Sequence, residues 1–516
     1  MYCVRVSNQL STRIDAEFYS PSALKAEGAV RAFRSHRTFG DIVSSGYRVV
    51  YHGIDPVNAL DQDERLAFLA PSDVDDQGAI LFSNCLEVPG YYAERYPKGI
   101  GKPRELLIEV KGNVSKVTVL PCELPRRLMI SGSFYKALIT KDTDTHFVLA
   151  FFKSSYGNAL KKRLASNSII DYIAKDDLYS IPLPHPDPFV QNFIGEKVRH
   201  SERLRELSRS IERGLNKVFS ILTDNLPSTP KAWRAAGSVL DTYRLNPSHY
   251  DPVVLGMMQE ARSKAKVVEL GDLLGDRGIS GGATPHGADY RGSGVFFVRV
   301  QNVKPYRLDL SDAAYLSADQ DMQLARSRCN ANDIVLSITG YPGTASLVMA
   351  EDLPVNLNQH CVRFDIRAPY EAAYVVAAMN SPFVKRQVDR LAIGGTREAL
   401  DYPSVRSLLI PILDDSVMQE VSERVRTLNN AERFSQRLVV AARMLTEGLI
   451  EGKIVESELT QIQNTIEMGD RSADRDLLQR LTASGIDISG AQKLFPDLDA
   501  LYRTLEALGT PEVEAK

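Results

Sequence analysis

Asn246-Pro-Ser-His-Tyr250 comes nearest to a reaction centre in this sequence, and it falls short of one. It departs from the Asn-Pro-Pro-Tyr motif of adenine methyltransferases, with Ser in place of the second Pro and an intervening His. Residues 13–21 copy the same block without any Asn-Pro, so a segment that packs Tyr250 onto its domain is the better account. No Phe-x-Gly-x-Gly loop for S-adenosylmethionine, no Walker loop and no Asp…Glu-x-Lys nuclease core stands out. Residues 278–282 are glycine-rich but lack the strand–turn–helix setting that a phosphate cradle needs. Cys3, Cys85, Cys122, Cys329 and Cys361 lie far apart with no Cys-x-x-Cys and no His-rich cluster. The expectation is therefore reduced thiols in a cytoplasmic chain, no metal site and no catalytic residue of its own.

What the residues do show is a duplication. Residues 187–222 carry apolar side chains at Val190, Ile194, Val198, Leu204, Leu207, Ile211, Leu215, Val218 and Leu222, mostly three or four apart. This spacing predicts one long helix with a narrow apolar stripe. Residues 414–449 repeat it, with Val417, Val421, Val425, Leu428, Phe434, Leu438, Ala441, Leu445 and Leu449. Four collinear blocks precede or join these helices. Residues 13–21 match 244–252 and 39–43 match 270–274, both shifted by 231; 119–128 match 348–357, shifted by 229; 177–184 match 404–411, shifted by 227. A shift that drifts this slowly marks a tandem repeat of ~230 residues. A narrow stripe on so long a helix needs a partner, and the other copy supplies one.

At 516 residues the chain exceeds a single core. Its 44% hydrophobic and 25% charged content is that of an ordinary globular protein, and no apolar run reaches the ~20 residues of a membrane span. A net charge of −3 neither announces nor excludes a polyanionic partner. The division expected is a first domain over 1–186, a long helix over 187–222, a Pro- and Ser-rich linker over 223–241, a second domain over 242–413, a long helix over 414–454 and a helical tail over 455–516. Short β-type runs at residues 295–300, 333–338, 345–349 and 361–364, punctuated by Gly, Pro, Asn and Asp, place the domains in the α+β class. The tail has no counterpart in the first half; it reads either as a helical cap or as a docking site for another subunit.

The blocks of the second half, over about 244–454, resemble the specificity subunits of type I restriction–modification systems. Ser280-Gly-Gly-Ala-Thr-Pro285 is similar to the family's Gly-Gly-Thr-Pro turn, and Phe297-Val-Arg-Val-Gln-Asn-Val303 to its Val-Arg-x-x-Asp/Asn strand. Asn332-Asp-Ile-Val-Leu-Ser337 with Gly340 and Gly343 is similar to its Gly-Asp-Ile-Leu-x-Ser…Gly-x-x-Gly segment. The first half fits by duplication and by its helix, lacks the Gly-Gly-Thr-Pro turn and differs in its loops. The resemblance implies two pseudo-symmetric target-recognition domains joined by two long helices that form an antiparallel coiled coil. It further implies a non-catalytic subunit that reads a bipartite duplex DNA. Two methyltransferase subunits would supply S-adenosylmethionine for adenine methylation, and a restriction or other effector subunit would be a further partner.

Reading DNA needs Arg, Lys, Asn or Gln where a loop can reach base edges, with basic groups for phosphates. In the second domain the candidates are Thr284, His286, Arg291, Arg299, Gln301, Asn302, Tyr341, Thr396 and Arg397, the last two in the polar glycine loop Gly394-Gly-Thr-Arg397. In the first domain they are Arg48, Tyr51, His52, Lys98, Lys102, Arg104, Lys111, Asn113, Lys116 and Asn167. Lys161-Lys-Arg163 reads as a solvated helix face. The rival account is a two-domain scaffold whose loops bind protein partners in a defence complex.

Overall fold

Two helices of 33 and 36 residues, Pro188–Ser220 and Asp415–Ile450, dominate the chain, each ending within two residues of where the apolar stripe sets it. The computed structural model describes residues 16–508 apart from 52–54, 58–59, 61–63, 166–169, 221, 224–225, 241–243, 245, 286–292 and 395–396. Helices and strands are mixed throughout. The chain divides into two units: the first runs up to Arg205 and resumes at Glu432, and the second is Glu206–Ala431. The boundaries between units thus cut through both long helices.

Both units are built on one topology, which is the duplication made visible. In unit one, strand Arg65–Leu69 lies between Leu86–Pro89, antiparallel, and Leu128–Ile130, parallel. In unit two, Val295–Val298 lies between Ala314–Leu316, antiparallel, and Val355–Leu357, parallel. The central strand of the larger sheet is Leu106–Glu109 in unit one, flanked antiparallel by Val117–Val119 and Phe134–Ile139. Its counterpart Ile334–Ser337 is flanked by Ala345–Leu347 and Cys361–Phe364. A helix pair follows in each: Thr145–Lys153 with Ser155–Lys162, and Ala372–Asn380 with Pro382–Leu391. The serine between them, Ser154 or Ser381, breaks the run and caps the second helix by accepting the N–H of Gly157 or Val384. A short ladder closes each unit, His36–Thr38 on Pro182–Pro184 and Val267–Glu269 on Leu409–Pro411. Tyr19 and Tyr250 are both buried just before a Pro-initiated helix, and the Tyr250 hydroxyl donates to Arg244 O at 2.6 Å, so this repeated block is packing and not chemistry.

Within unit two, Leu215 and Phe219 of the first long helix and Val421, Val425 and Leu428 of the second join the core formed by the sheet and the helix pair. Within unit one, Val190, Phe193, Ile194, Val198 and Leu204 of the first long helix are buried. The tail belongs to this unit. Its helices are Glu456–Glu467, Ser472–Arg480 and Leu498–Glu506. A buried ion pair of Lys197 with Asp474 (2.5 Å) fastens it, and the Tyr502 hydroxyl donates to the same carboxylate at 2.6 Å.

The turn into each central strand is also repeated. Arg104 and Asn332 both adopt left-handed backbone, φ 65° and 66°, and donate their N–H groups to Leu120 O at 2.9 Å and Val348 O at 2.8 Å. The next residue is a buried acid. Glu105 accepts the Lys102 N–H at 2.8 Å and pairs with Lys136 of the neighbouring strand at 2.9 Å. Asp333 accepts the Asn330 N–H at 2.8 Å and pairs with Arg277 at 2.6 Å, while Arg363, at the position of Lys136, donates to Arg326 O at 2.9 Å. Asn suits a left-handed position and Arg does not, at a cost of ~1–2 kcal/mol for an ordinary side chain. Arg104→Asn should therefore stabilise the protein by about 1 kcal/mol, raising the melting temperature by about 2–4 °C, and Asn332→Arg should lower it comparably. Calorimetry checks both; an Arg104→Asn protein that melts at or below wild type refutes the strain.

Candidate nucleic-acid interface

Each central strand runs into a loop that is tied to a second loop at the same place in both units. In unit one the strand continues into Lys111–Gly112, which pairs with Asp171–Tyr172. In unit two Thr339 bridges Ala399, and the Gly340 N–H donates to Glu398 O at 2.9 Å.

On the unit-one surface, cations alternate with exposed rings. The Arg48 guanidinium lies 5.0 Å over the Tyr172 ring, with Nε donating to Gly132 O at 2.7 Å, and Lys111 stands opposite Tyr172 in the ladder. Lys98 Nζ lies 5.0 Å from the Tyr47 ring centre. Tyr47, Tyr172 and Ile170 are exposed, and none of the three was singled out from sequence, since an exposed aromatic has no periodicity of its own. Such a surface offers positive charge for phosphates and flat faces for bases. Lys102 and Arg104 are exposed but precede the central strand, whereas Lys111 and Asn113 follow it. Seven residues of extended chain at ~3.3 Å each put about 20 Å between Arg104 and Lys111, so the basic residues form two groups and not one. Lys116 is held by Asp76 at 2.5 Å.

Tyr51 lies beside Tyr47 and Gly132 of this surface but turns its hydroxyl into the sheet. Its hydroxyl donates to Ile130 O at 2.7 Å, and its ring packs with Phe68, Tyr92 and Tyr96, burial raising its pKa. Its hydroxyl is committed to the sheet, and its ring is half-buried.

In unit two, Tyr341 is 82% exposed at its loop tip, and exposed Arg397 lies two residues before Ala399, which bridges both Ile393 and Thr339 of that loop. Thr284 donates its hydroxyl to Gln359, a polar loop residue that sequence reasoning passed over. Three candidates turn out to converge on one aspartate. Arg299 Nη2 donates to Asp312 O at 2.8 Å, Gln301 Nε2 to Asp312 Oδ2 at 3.0 Å and Asn302 Nδ2 to Asp312 Oδ1 at 2.6 Å. Asn302 is completely buried and its amide is committed, so it is a scaffold residue and not a base contact. Gln301 stays exposed and Arg299 half-buried. His52, Asn167, His286, Arg291 and Thr396 lie outside the described residues. Among the described residues no group of three or more His, Cys, Asp or Glu could hold a metal ion, and no helix is long and apolar enough to cross a membrane.

No protein-family model matches the chain. It is similar to the type I restriction enzyme EcoBI specificity subunit of Escherichia coli, 20% identical over 389 residues, which are 72% of this chain and 77% of that protein. Among solved structures, the type I restriction–modification S subunit from M. genitalium overlaps 84% of this chain and 95% of its own at 12% identity and a TM-score of 0.36. The HsdS subunit from Thermoanaerobacter tengcongensis overlaps 85% and 97% at 15% identity and a TM-score of 0.26. The sequence relative carries the comparison.

The two loops that end the central strands are held by different chemistry. In unit two, the Ser337 hydroxyl donates to Tyr341 O at 2.7 Å and accepts the Thr344 N–H at 3.0 Å. In unit one the buried Glu109 carboxylate accepts the N–H groups of Asn113, Ser115 and Lys116 at 3.1, 2.8 and 2.9 Å. Behind it Lys161, expected on a solvated face, is fully buried and donates to Ser115 O at 3.1 Å. Arg163 is likewise engaged, with Glu27 at 2.6 Å and over the Phe18 ring. Burial pushes the Lys161 pKa down to about 7 from 10.5. Between these values the unfolded chain holds a proton that the folded chain has released, so stability rises with pH over that window; below it both forms are protonated and the penalty is constant. Lys161→Met should flatten this rise. Denaturant midpoints at pH 7 and pH 9 measure it, and a wild-type profile no steeper than that of the variant would show that Lys161 does not titrate there.

Proposed function

We propose that this chain is the DNA-specificity subunit of a type I-like restriction–modification or related methylation-based defence complex, acting in the cytoplasm. Each unit reads one half of a bipartite duplex target. Two methyltransferase subunits bind S-adenosylmethionine and methylate adenine, a restriction or other effector subunit joins them, and the chain itself carries no reaction. The observation that carries this reading is that both units build the same loop surface beyond the same strand yet furnish it differently: Arg48, Tyr172, Lys111 and Asn113 in one, Thr284, Tyr341 and Arg397 in the other. One scaffold with two sets of polar tips suits two unlike half-sites. The collinear sequence match to a specificity subunit supports it.

In this reading Arg397 and Arg48 contact bases or phosphates of different half-sites, and Arg299 acts on the second half-site by fixing the loop that ends at Asp312. Losing one bidentate Arg–guanine pair costs ~1–3 kcal/mol of discrimination. Arg397→Ala should relax one half of the methylated motif and Arg48→Ala the other, read by mapping methyl-adenine in cells that express the complex. Both variants methylating the unchanged motif at the wild-type rate would remove these residues from the interface.

The long helices enter as a ruler. Their similar lengths of 33 and 36 residues and their matched apolar stripes support an antiparallel coiled coil; at ~1.5 Å per residue each spans about 50 Å, more than one DNA turn of ~34–36 Å. The target is then two short half-sites around an unread spacer. One heptad added to both helices keeps the apolar seams in register and adds ~10 Å, about three base pairs. The DNA also rotates by about a quarter turn over that length, so activity falls. The methylation motif recovered from that variant should keep its half-sites and lengthen its spacer; an unchanged spacer would end the ruler idea.

A further inference from the structure

Tyr341 is the most exposed aromatic side chain among the described residues, and the loop that carries it cannot retreat. Gly340 and Gly343 flank the Tyr-Pro tip, both at φ +89°, a backbone that other residues rarely adopt. From below, Ser337 Oγ donates to Tyr341 O at 2.7 Å, and Ser337 O accepts the Gly343 N–H at 2.9 Å. From the side, Glu398 O accepts the Gly340 N–H at 2.9 Å. From behind, the helix Pro382–Leu391 presses on Gly343, where any Cβ would meet Val388 Cγ1 at 2.7 Å. An aromatic ring held out on so braced a tip, with Arg397 next to the Glu398 that holds Gly340, is preorganised to insert and not merely to adapt.

We propose that Tyr341 enters the duplex at the second half-site and stacks on a base, opening one base step, while the adjacent cation Arg397 stays on the groove side. This rests on the reading of the chain as a duplex-binding subunit. Asn113 stands at the corresponding position of unit one, where the backbone N–H is held by Glu109, and the exposed rings of that unit, Tyr172 and Tyr47, each have a cation over one face, Arg48 and Lys98. The distortion is therefore one-sided: the second half-site is opened and the first is not. Wedges of this kind partly unstack a step, and stacking of one base on an aromatic ring contributes ~1–3 kcal/mol.

The test uses the complex assembled with its methyltransferase subunits and a duplex carrying the motif it methylates, with 2-aminopurine placed in turn at each position of both half-sites except the adenines that are methylated and their neighbours, which the methyltransferase subunits unstack by themselves. Wild type and Tyr341→Phe should brighten 2-aminopurine at one step of the second half-site and at none of the first, and Tyr341→Ala at neither. Tyr341→Ala should bind the intact duplex about 5- to 140-fold more weakly, the factor that ~1–3 kcal/mol gives at ~1.4 kcal/mol per tenfold. A mismatch that pre-opens the step should raise binding for wild type and Tyr341→Phe while leaving Tyr341→Ala behind. Tyr341→Phe falling as far as Tyr341→Ala would mean a hydroxyl contact in a groove and overturn the wedge; so would Tyr341→Ala binding like wild type. In either case a wild-type complex that still prefers its motif leaves the specificity reading standing, whereas one that prefers no duplex overturns both.

Discussion

A buried acid decides where the central strand of each unit begins. Glu105 and Asp333 each accept a backbone N–H from the turn before them and face a cation brought by another strand or loop. An unpaired charge in such a place costs several kcal/mol, and removing one partner of a buried pair typically costs ~3–5 kcal/mol. The turn, the strand and its neighbour therefore form together or not at all. The loop at the far end of the strand inherits its position from this lock. The Asp333 carboxyl is held above its ordinary pKa by burial, against the pull of its own hydrogen bonds and of Arg277, which shows how tightly that corner is closed.

With the strand fixed, the loop beyond it can be secured by whatever chemistry the copy possesses. Unit one uses a carboxylate that collects three N–H groups and a lysine behind it; unit two uses a serine, two glycines and an apolar helix face. Side chains at the tips are then unconstrained by folding. Among the described residues, Arg48, Lys111, Tyr341 and Arg397 satisfy no backbone group that the sheet needs apart from the Arg48 bond to Gly132, and this freedom lets a duplicated scaffold carry two unlike surfaces.

The sequence was most legible where one period dominates. Long helices show a 3.6-residue stripe over nine or more turns, and their ends emerge within two residues. Strands such as Cys361–Phe364 were found intact, but Val295–Val298 ends two residues before its apolar run, because Val300 already turns toward the capping of Asn302. The interface was legible in part. Resemblance between blocks marks positions that keep a fold, and that is how Asn302 came to be read as a base contact when its amide holds the turn at Asp309 and Asp312. Lys161 was misread for a different reason: a Lys-Lys-Arg run suggests water, yet Gly157, Leu160, Lys161 and Leu164 are spaced as one buried helical face, and the spacing outranks the charge. Partners brought from far along the chain, such as Tyr172 beneath Arg48, leave no local pattern at all.

The division of the chain also orders its synthesis. Unit two is a single uninterrupted stretch, Glu206–Ala431, whereas unit one needs both the beginning of the chain and everything from Glu432 onward. On a ribosome, which releases a chain from its N-terminus at ~5–20 residues per second, the second unit has all its strands and its share of both helices before the tail that completes the first is made. The earlier-made half waits, its Lys197 without Asp474, until the tail emerges.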